Sequence, residues 1–335
     1  MISIKKHRTI FSLKSAWLSI EQSSKDFVIF QTYEFQKALF YRLPIYAVQE
    51  KAIYAYYEVK KENKTVIIAP VSHNLNSKRY SIIGNMGGVA IYDFIYDKSI
   101  GFELFSKCIE ELFRKIKADS WDFNWVSGDG MLYKYLIEKE GVTAKEISNV
   151  AIPLPDTYDA YYNALSKHTR QNIRTAYNRL NSDGKQFEFE LIAGKKLSRK
   201  KLNSLIEVYN NRHVQRYGIH ISKLKDLYLK YFDYITRFYN NSNENYYGIL
   251  YIDKKIAAFF SGAKHNNSIV VPRLSILDEF SRYSPGIVLI NETMQKIIGD
   301  EKIDSFDLSK GNEKYKYTMG GIEYYTYRIN VGRIS

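Results

Sequence analysis

The chain has 335 residues, 45% of them hydrophobic, with a net charge of +13 and a single cysteine. That length predicts about two domains with ample apolar material for two cores. No apolar run is long enough to span a membrane, and lone Cys108 excludes an internal disulfide. The expectation is a cytoplasmic protein with a surface that attracts anions.

The opening 20 residues mix lysines and an arginine into their apolar positions, without the run and cleavage site of a secretion signal. At 56–70, YYEVKKENKTVIIAP reads as two strands around a Glu-Asn turn. Gly101 then opens a helical run whose Phe102, Phe105, Ile109, Leu112, Phe113 and Ile116 recur at helical period. Cys108 falls inside it as a packing residue. A strand DSWDF follows at 119–123, then Gly128-Asp129 and Tyr133-Lys134-Tyr135.

Around 145–156, VAIPLPDTYDA offers a short strand, two prolines and Asp156 as a helix N-cap. The boundary between a first domain, 1–150, and a second, 151–335, is expected there. A helix over 157–181 has Tyr162, Leu165, Thr169, Ile173, Ala176 and Leu180 on its core stripe, with Lys167, Arg170 and Arg174 on another side. YYGILYIDKKIAAFFSG at 246–262 reads as a second hairpin around Asp-Lys. Gly286 opens a helix with Ile287, Ile290, Met294 and Ile297 on one face. DSFDL at 304–308, Gly311-Asn312 and Tyr315-Lys316-Tyr317 complete the order. Each half separates its glycine from its aspartate by 18 residues, Gly101 to Asp119 and Gly286 to Asp304. The repetition predicts a duplicated α/β unit of helix, hairpin, helix and strand.

Three segments of the second half resemble the acetyltransferase domain of CelD-type (cellulose-biosynthesis-associated) GNAT proteins. LPDTYDAYYNALSKHTRQNIRTAYNRL is similar to a family helix with an LSKxxRxNxRR centre. YSPGIVLINE is similar to YSPGxxLLxE, and FDLSKGNEKYKYTMG to FDLGxGxExYKxxW. Ser309 stands where that family usually has Gly, and Met319 where it has Trp. The helix and Tyr-Lys segments resemble the Fem-type aminoacyl transferases more loosely. The resemblance implies an α/β (α+β) chain of two tandem GNAT-like domains, each a mixed, partly antiparallel sheet flanked by helices.

It also implies acetyl-CoA or another acyl-CoA as co-substrate, no metal, and a small-molecule or carrier-linked amine acceptor from envelope or polysaccharide synthesis. The pyrophosphate is expected at a helix N-terminus, on Arg282, Tyr283, Ser284 and Gly286, with Pro285 pre-set for the first turn. Ser284 suits a cap or a donor. Backbone N–H groups over Arg273, Ser275 and Leu277 are the expected oxyanion donors. Asp307 is the candidate general base, Tyr315 the acid for the leaving thiolate, and Lys316 a holder of an anionic group. Lys167, Arg170 and Arg174 form either a solvated face or a clamp for an anionic acceptor or the CoA 3′-phosphate.

In the first half the matching stretch is Asp97-Lys98-Ser99-Ile100-Gly101, with Asp93 nearby. Its acidic groups oppose a pyrophosphate, so this copy reads as degenerate. His213, His220 and His265 lack metal-ligand spacing, and no P-loop, dinucleotide fingerprint or nucleophile elbow occurs. Two rivals stay open. One is a Fem-type transferase using aminoacyl-tRNA, which the basic charge suits. The other is a non-catalytic nucleic-acid-binding protein, against which the even spread of charge argues.

Overall fold

The Glu-Asn and Asp-Lys turns do what their residues allow. Glu62 and Asn63 (φ 51° and 67°), like Asp253 and Lys254 (φ 48° and 64°), adopt the left-handed backbone at both central positions. Such turns match the right-handed twist of the strands they join. They close two hairpins, β2 (Ala52–Lys61) with β3 (Lys64–Asn74) and β9 (Asn245–Ile252) with β10 (Lys255–His265).

The computed structural model describes residues 1–23, 27–41, 43–44, 47, 51–83, 93–217, 244–265, 267–300 and 302–332. The remaining strands are β1 (Ile2–His7), β4 (Tyr80–Ile82), β5 (Ile95–Tyr96), β6 (Trp121–Ser127), β7 (Thr143–Pro153), β8 (Phe187–Ala193), β11 (Ser268–Ile276), β12 (Ser305–Lys310) and β13 (Ile322–Val331). The helices are α1 (Lys14–Gln22), α2 (Tyr33–Phe40), α3 (Phe102–Ile116), α4 (Met131–Ile137), α5 (Tyr158–Ala164), α6 (Lys167–Ser182), α7 (Arg199–Tyr217), α8 (Pro285–Ile297) and α9 (Lys314–Thr318).

The chain divides into two compact units. The first joins Met1–Ser148 to Tyr325–Ser335, and the second is Asn149–Tyr324. In the first, the strand order is β1-β2-β3-β4-β6-β13. Its final strand comes from the far end of the chain, with Thr326 opposite Ser127 and Val331 opposite Trp121. In the second, the order is β7-β12-β11-β10-β9-β8. Here β7 lies antiparallel on β12, with Ile152 opposite Phe306 and Ala151 opposite Asp307. Each unit is therefore a mixed sheet completed by a strand that leaves or enters it through the chain crossing. Cys108 is fully buried on α3, in the core of the first unit.

Two local expectations are corrected. The single helix over 157–181 is two helices. Leu165 is extended (φ −68°, ψ 148°), and Ser166 caps α6 by accepting from Thr169 N–H. The core stripe survives the break, with Leu165, Thr169, Ile173, Ala176 and Leu180 buried. The cap of α5 is Thr157, whose hydroxyl accepts from Ala160 N–H, and not Asp156.

In the second unit, α5, α6 and α8 cover one face of the sheet. Ile173, Ala176, Val288 and Leu289 meet Phe260, Ile269, Phe306 and Leu308 in one apolar cluster. On the other face, Leu202 and Leu205 of α7 meet Tyr247, Ile249 and Phe259. Successive strand residues point to opposite faces. Asp307, between Phe306 and Leu308, therefore points to the α7 side.

Candidate active site

The parallel pairing of β11 with β12 is short. Ser268 faces Ser305, Ile269 faces Phe306 and Val270 faces Asp307, and there it stops. β11 runs on to Ile276 along β10 alone. The parting coincides with a bulge, where Val271 and Pro272 oppose the single residue Gly262 between the pairs Ser261–Arg273 and Ala263–Val270. A bulge sharpens strand twist, and proline tolerates a place without a ladder N–H. Gly262 is obligatory, because a Cβ there would lie 2.2 Å from the Val270 carbonyl oxygen.

Asp307 ends the paired stretch. It is 8% exposed, and both its oxygens are held. Oδ1 accepts from Ser309 N–H at 2.7 Å, and Oδ2 accepts from Tyr324 O–H at 2.7 Å. Burial raises its pKa above the ordinary carboxylate value, against the opposing pull of Tyr324, Ser309 N–H and the Lys316 charge. Burial next to this carboxylate also raises the Tyr324 hydroxyl far above the usual phenol range. Tyr324 carries no sequence signal of its own. It is one tyrosine in the strand IEYYTYRIN, brought to Asp307 only by pairing in space.

The loop after Asp307 turns on Ser309, a left-handed residue (φ 56°). That backbone explains why glycine is the residue expected here. The turn brings four carbonyls, of Leu308, Ser309, Lys310 and Gly311, onto Lys316 Nζ at 3.0, 3.1, 2.7 and 3.2 Å. Glu313 adds a carboxylate at 3.2 Å. Lys316 is 3% exposed, and burial lowers its pKa. Its expected role as an anion holder is corrected, because its three donors are engaged by the loop that carries Asp307. Tyr315, on the same helix α9, packs half-buried against the Phe306 cluster, on the face opposite Asp307.

The start of α8 follows a short 3-10 turn, Asp278–Tyr283. Ser284 is left-handed (φ 50°) and makes no side-chain cap, so the capping role expected of it is not realised. Pro285 occupies the first turn. Packing leaves room at Gly286, where a Cβ would meet only Ile276 Cγ2, at 3.4 Å. Arg282 is exposed, with one edge held by Asp183 (Nε to Oδ2 2.8 Å, Nη2 to Oδ1 3.3 Å). Tyr283 is buried and donates to the same Asp183 oxygen at 3.0 Å. Its hydroxyl is thus a fastening of the turn and not a free phosphate donor. The Arg282 carbonyl accepts from Arg179 at 3.0 Å. Asp183 was missed in the sequence although a signal existed. An acid at the C-cap of a helix opposes the macrodipole and needs a cation, here Arg282.

Among the expected oxyanion donors, Leu277 is corrected, since its N–H bonds to the Ala257 carbonyl at 2.9 Å. Arg273 and Ser275 alternate with Leu274 and Ile276, which pack on the α8 side, and so point toward α7. The Arg273 guanidinium lies 5.5 Å from the Tyr209 ring of that helix. The basic trio of α6 does not act together. Arg170 donates to the carbonyls of Asn163 and Leu165, both at 2.8 Å, and ties down the break before α6. Lys167 and Arg174 are exposed, and Arg174 reaches Gln171 at 2.9 Å.

His220 and the side chains of His213 and His265 lie outside the described residues. Among the described residues no three His, Cys, Asp or Glu side chains gather as a metal site, and no helix is long and apolar enough to cross a membrane.

Residues 167–317 match the Acetyltransferase (GNAT) domain family. In fold, the chain is similar to FemX, at 10% identity over 96% of each chain and a TM-score of 0.61. It is similar to a tandem GNAT protein from the clavulanic acid biosynthesis pathway, at 7% identity over 100% of this chain and 99% of that one, TM-score 0.53. The C-terminal domain of a putative lysylphosphatidylglycerol synthetase from Agrobacterium fabrum aligns at 13% identity over 98% and 93%, TM-score 0.54. No curated protein matches the chain in sequence. The fold is thus two tandem GNAT-like units, and the GNAT acetyltransferase match falls in the second.

Proposed function

We propose that the chain is an acyl-CoA-dependent N-acyltransferase whose second unit performs the chemistry. The observation that carries this reading is the parting of β11 from β12 at Val270 and Asp307, within the segment that matches the GNAT family. In this reading the pantetheine lies along the free edge of β11. The pyrophosphate meets the uncapped start of α8 at Ser284 and Gly286, with Arg282 beside it. Room for a Cβ at Gly286 supports this, because packing alone does not demand glycine there.

The acceptor amine attacks the thioester carbonyl from the α7 side, the side to which Asp307 points. Asp307 takes or orients the amine proton, aided by a pKa that burial raises toward the working range. Backbone N–H groups of Leu274 and Ile276, which alternate with the residues bonded to β10 and so face the edge that β12 leaves, receive the developing oxyanion. The carbon–sulfur bond then breaks, and Tyr315, on the opposite face, protonates the thiolate. Lys167 and Arg174 are the cations left to meet an anionic group.

The acceptor we favour is an amine of an envelope or polysaccharide precursor, such as an amino sugar, on the resemblance to CelD-type proteins. AcCoA figures in the name of the clavulanic-pathway structure, which supports the donor. The Agrobacterium domain belongs to a putative lysylphosphatidylglycerol synthetase, in keeping with a lipid- or carrier-linked acceptor. The net charge of +13 favours a second reading, an aminoacyl-tRNA donor. Calorimetry separates the two. Micromolar binding of an acyl-CoA, competed by free CoA, is the expected result. Tight binding of charged tRNA with no binding of any acyl-CoA would overturn the first reading and establish the second.

A further inference from the structure

The first unit carries an aromatic cluster that the proposed reaction does not use. Phe11 is 45% exposed and Tyr41 62%. Their rings lie 6.0 Å apart, and both pack on Phe40, at 5.3 and 6.0 Å. Phe40 rests in turn on buried Tyr56, at 6.3 Å. The two outer rings are therefore braced from below, and the chain holds them at the surface.

Their surroundings are cationic. Phe11 begins a 3-10 turn that runs into α1, so Lys14, three residues on, lies on the same side. Arg8 is exposed three positions before Phe11, in a turn whose His7 Nδ1 and Ser12 Oγ lie 2.8 Å apart. Neither Arg8 nor Lys14 has an ion-pair partner among the described residues. Lys37, one turn before Tyr41, is paired with Glu34. The first 20 residues hold Lys5, Lys6, Arg8 and Lys14 and no Asp or Glu.

Two aromatic rings are far too small a surface for a stable protein interface, which takes about 800 Å² per partner. They suit the boundary of a bilayer, where amphipathic rings sit at headgroup depth and flanking cations meet anionic lipid. The Phe11 ring is also tilted to Tyr41, at 53°, and edge-on to Phe40, at 79°. The rings form no flat platform for stacked bases.

We propose that Phe11 and Tyr41, flanked by Arg8 and Lys14, seat the first unit on an anionic lipid bilayer. The seat is peripheral and shallow. It is independent of the chemistry assigned to the second unit.

Co-sedimentation of the full chain with vesicles tests this. Vesicles of phosphatidylcholine mixed with phosphatidylglycerol should bind the protein, pure phosphatidylcholine should bind it weakly, and high salt should release it. Arg8→Glu and Lys14→Glu should each weaken binding about fivefold or more, since a basic residue at an anionic surface is worth roughly that factor. Phe11→Ser with Tyr41→Ser should weaken it by roughly tenfold or more, in a variant that remains folded because only the packing on Phe40 is lost. Tyr41→Ser alone, at the more exposed ring, repeats the test if the double variant melts early. Equal binding to both vesicle types, or ring variants that bind like the parent, overturns the proposal. So does binding to single-stranded nucleic acid with none to vesicles.

Discussion

Lys316 and Lys134 are the middle residues of two matching Tyr-Lys-Tyr segments, yet Lys316 is buried and Lys134 lies in solvent. The aspartates upstream differ in the same sense. Asp307 is enclosed with a tyrosine hydroxyl, whereas Asp122 meets the Arg328 guanidinium at 3.0 Å. The strands that precede the matching helices α3 and α8 differ more. In the second unit β11 is long, and one edge is left by β12 beyond Val270. In the first unit its counterpart β4 has three residues, and β5 pairs with β3 farther along, at Ile67 and Ile68.

Neither α3 nor α8 has a side-chain cap, but where the second unit presents Arg282 before its helix, the first has Asp97. That carboxylate holds Ser99 N–H at 3.0 Å and Lys64 Nζ at 2.7 Å. The two units share a frame of mixed sheet and flanking helices. Among the described residues, only the second shows a strand edge left by its parallel neighbour beside a cationic helix start, with a buried aspartate held by a tyrosine hydroxyl and a backbone N–H.

The sharpest way to break this contrast is Asp307→Asn, which keeps the shape and removes the charge. Turnover should fall about 10²–10⁴-fold, the usual loss of a general base, with acyl-CoA affinity nearly intact. Asp122→Asn should leave turnover unchanged. A folded Asp307→Asn protein with near-normal turnover would make Asp307 a strand-end residue like its counterpart.

Arg282→Glu places a negative charge where the phosphates are proposed to sit. It should weaken acyl-CoA binding by about tenfold or more in calorimetry, while Lys98→Glu leaves that affinity alone. Equal losses would remove the distinction between the two units.

Lys316→Met strips the shared donor from four carbonyls, that of Leu308 buried and the others partly so. It should cost about 2–3 kcal/mol in denaturant unfolding, whereas Lys134→Met should stay within about 0.5 kcal/mol. A stable Lys316→Met protein with a raised KM for an anionic acceptor would restore the substrate role that the geometry withdraws.

The smallest effect concerns the acid of the first unit. Burial pushes Asp93 up to about 7, against the Lys98 charge and the N–H groups of Phe94 and Leu132. A carboxyl with a raised folded pKa contributes stability that is complete below its unfolded value, about 4, and lost as pH rises toward 7. Glu21, also pushed to about 7 by burial, acts in the same direction. The melting temperature should therefore fall between about pH 4 and 7. Asp93→Asn should flatten part of that fall. An unchanged slope would mean that Asp93 ionises in the fold without cost.

Much of the frame was legible because its causes are local. The two hairpins follow from Glu-Asn and Asp-Lys turns whose residues accept a positive φ. The start of α8 follows from Pro285, and the core stripe of α6 from its period. The break at Leu165 was obscured because the apolar stripe runs through it unbroken. Only the cap formed by Ser166 on Thr169 marks it.

What the sequence by itself determined was the doubled α/β order, the turns, the helix faces and the segment that matches the GNAT domain. Each depends on residues a few positions apart. Tertiary structure alone decided that Tyr324 meets Asp307, that Lys316 faces carbonyls and not solvent, and that Asp183 holds Arg282 across 99 residues. It alone decided that β13 completes the first unit and β7 the second. Burial and long-range pairing set the charge state and reach of a side chain, and neither is encoded in its neighbours along the chain.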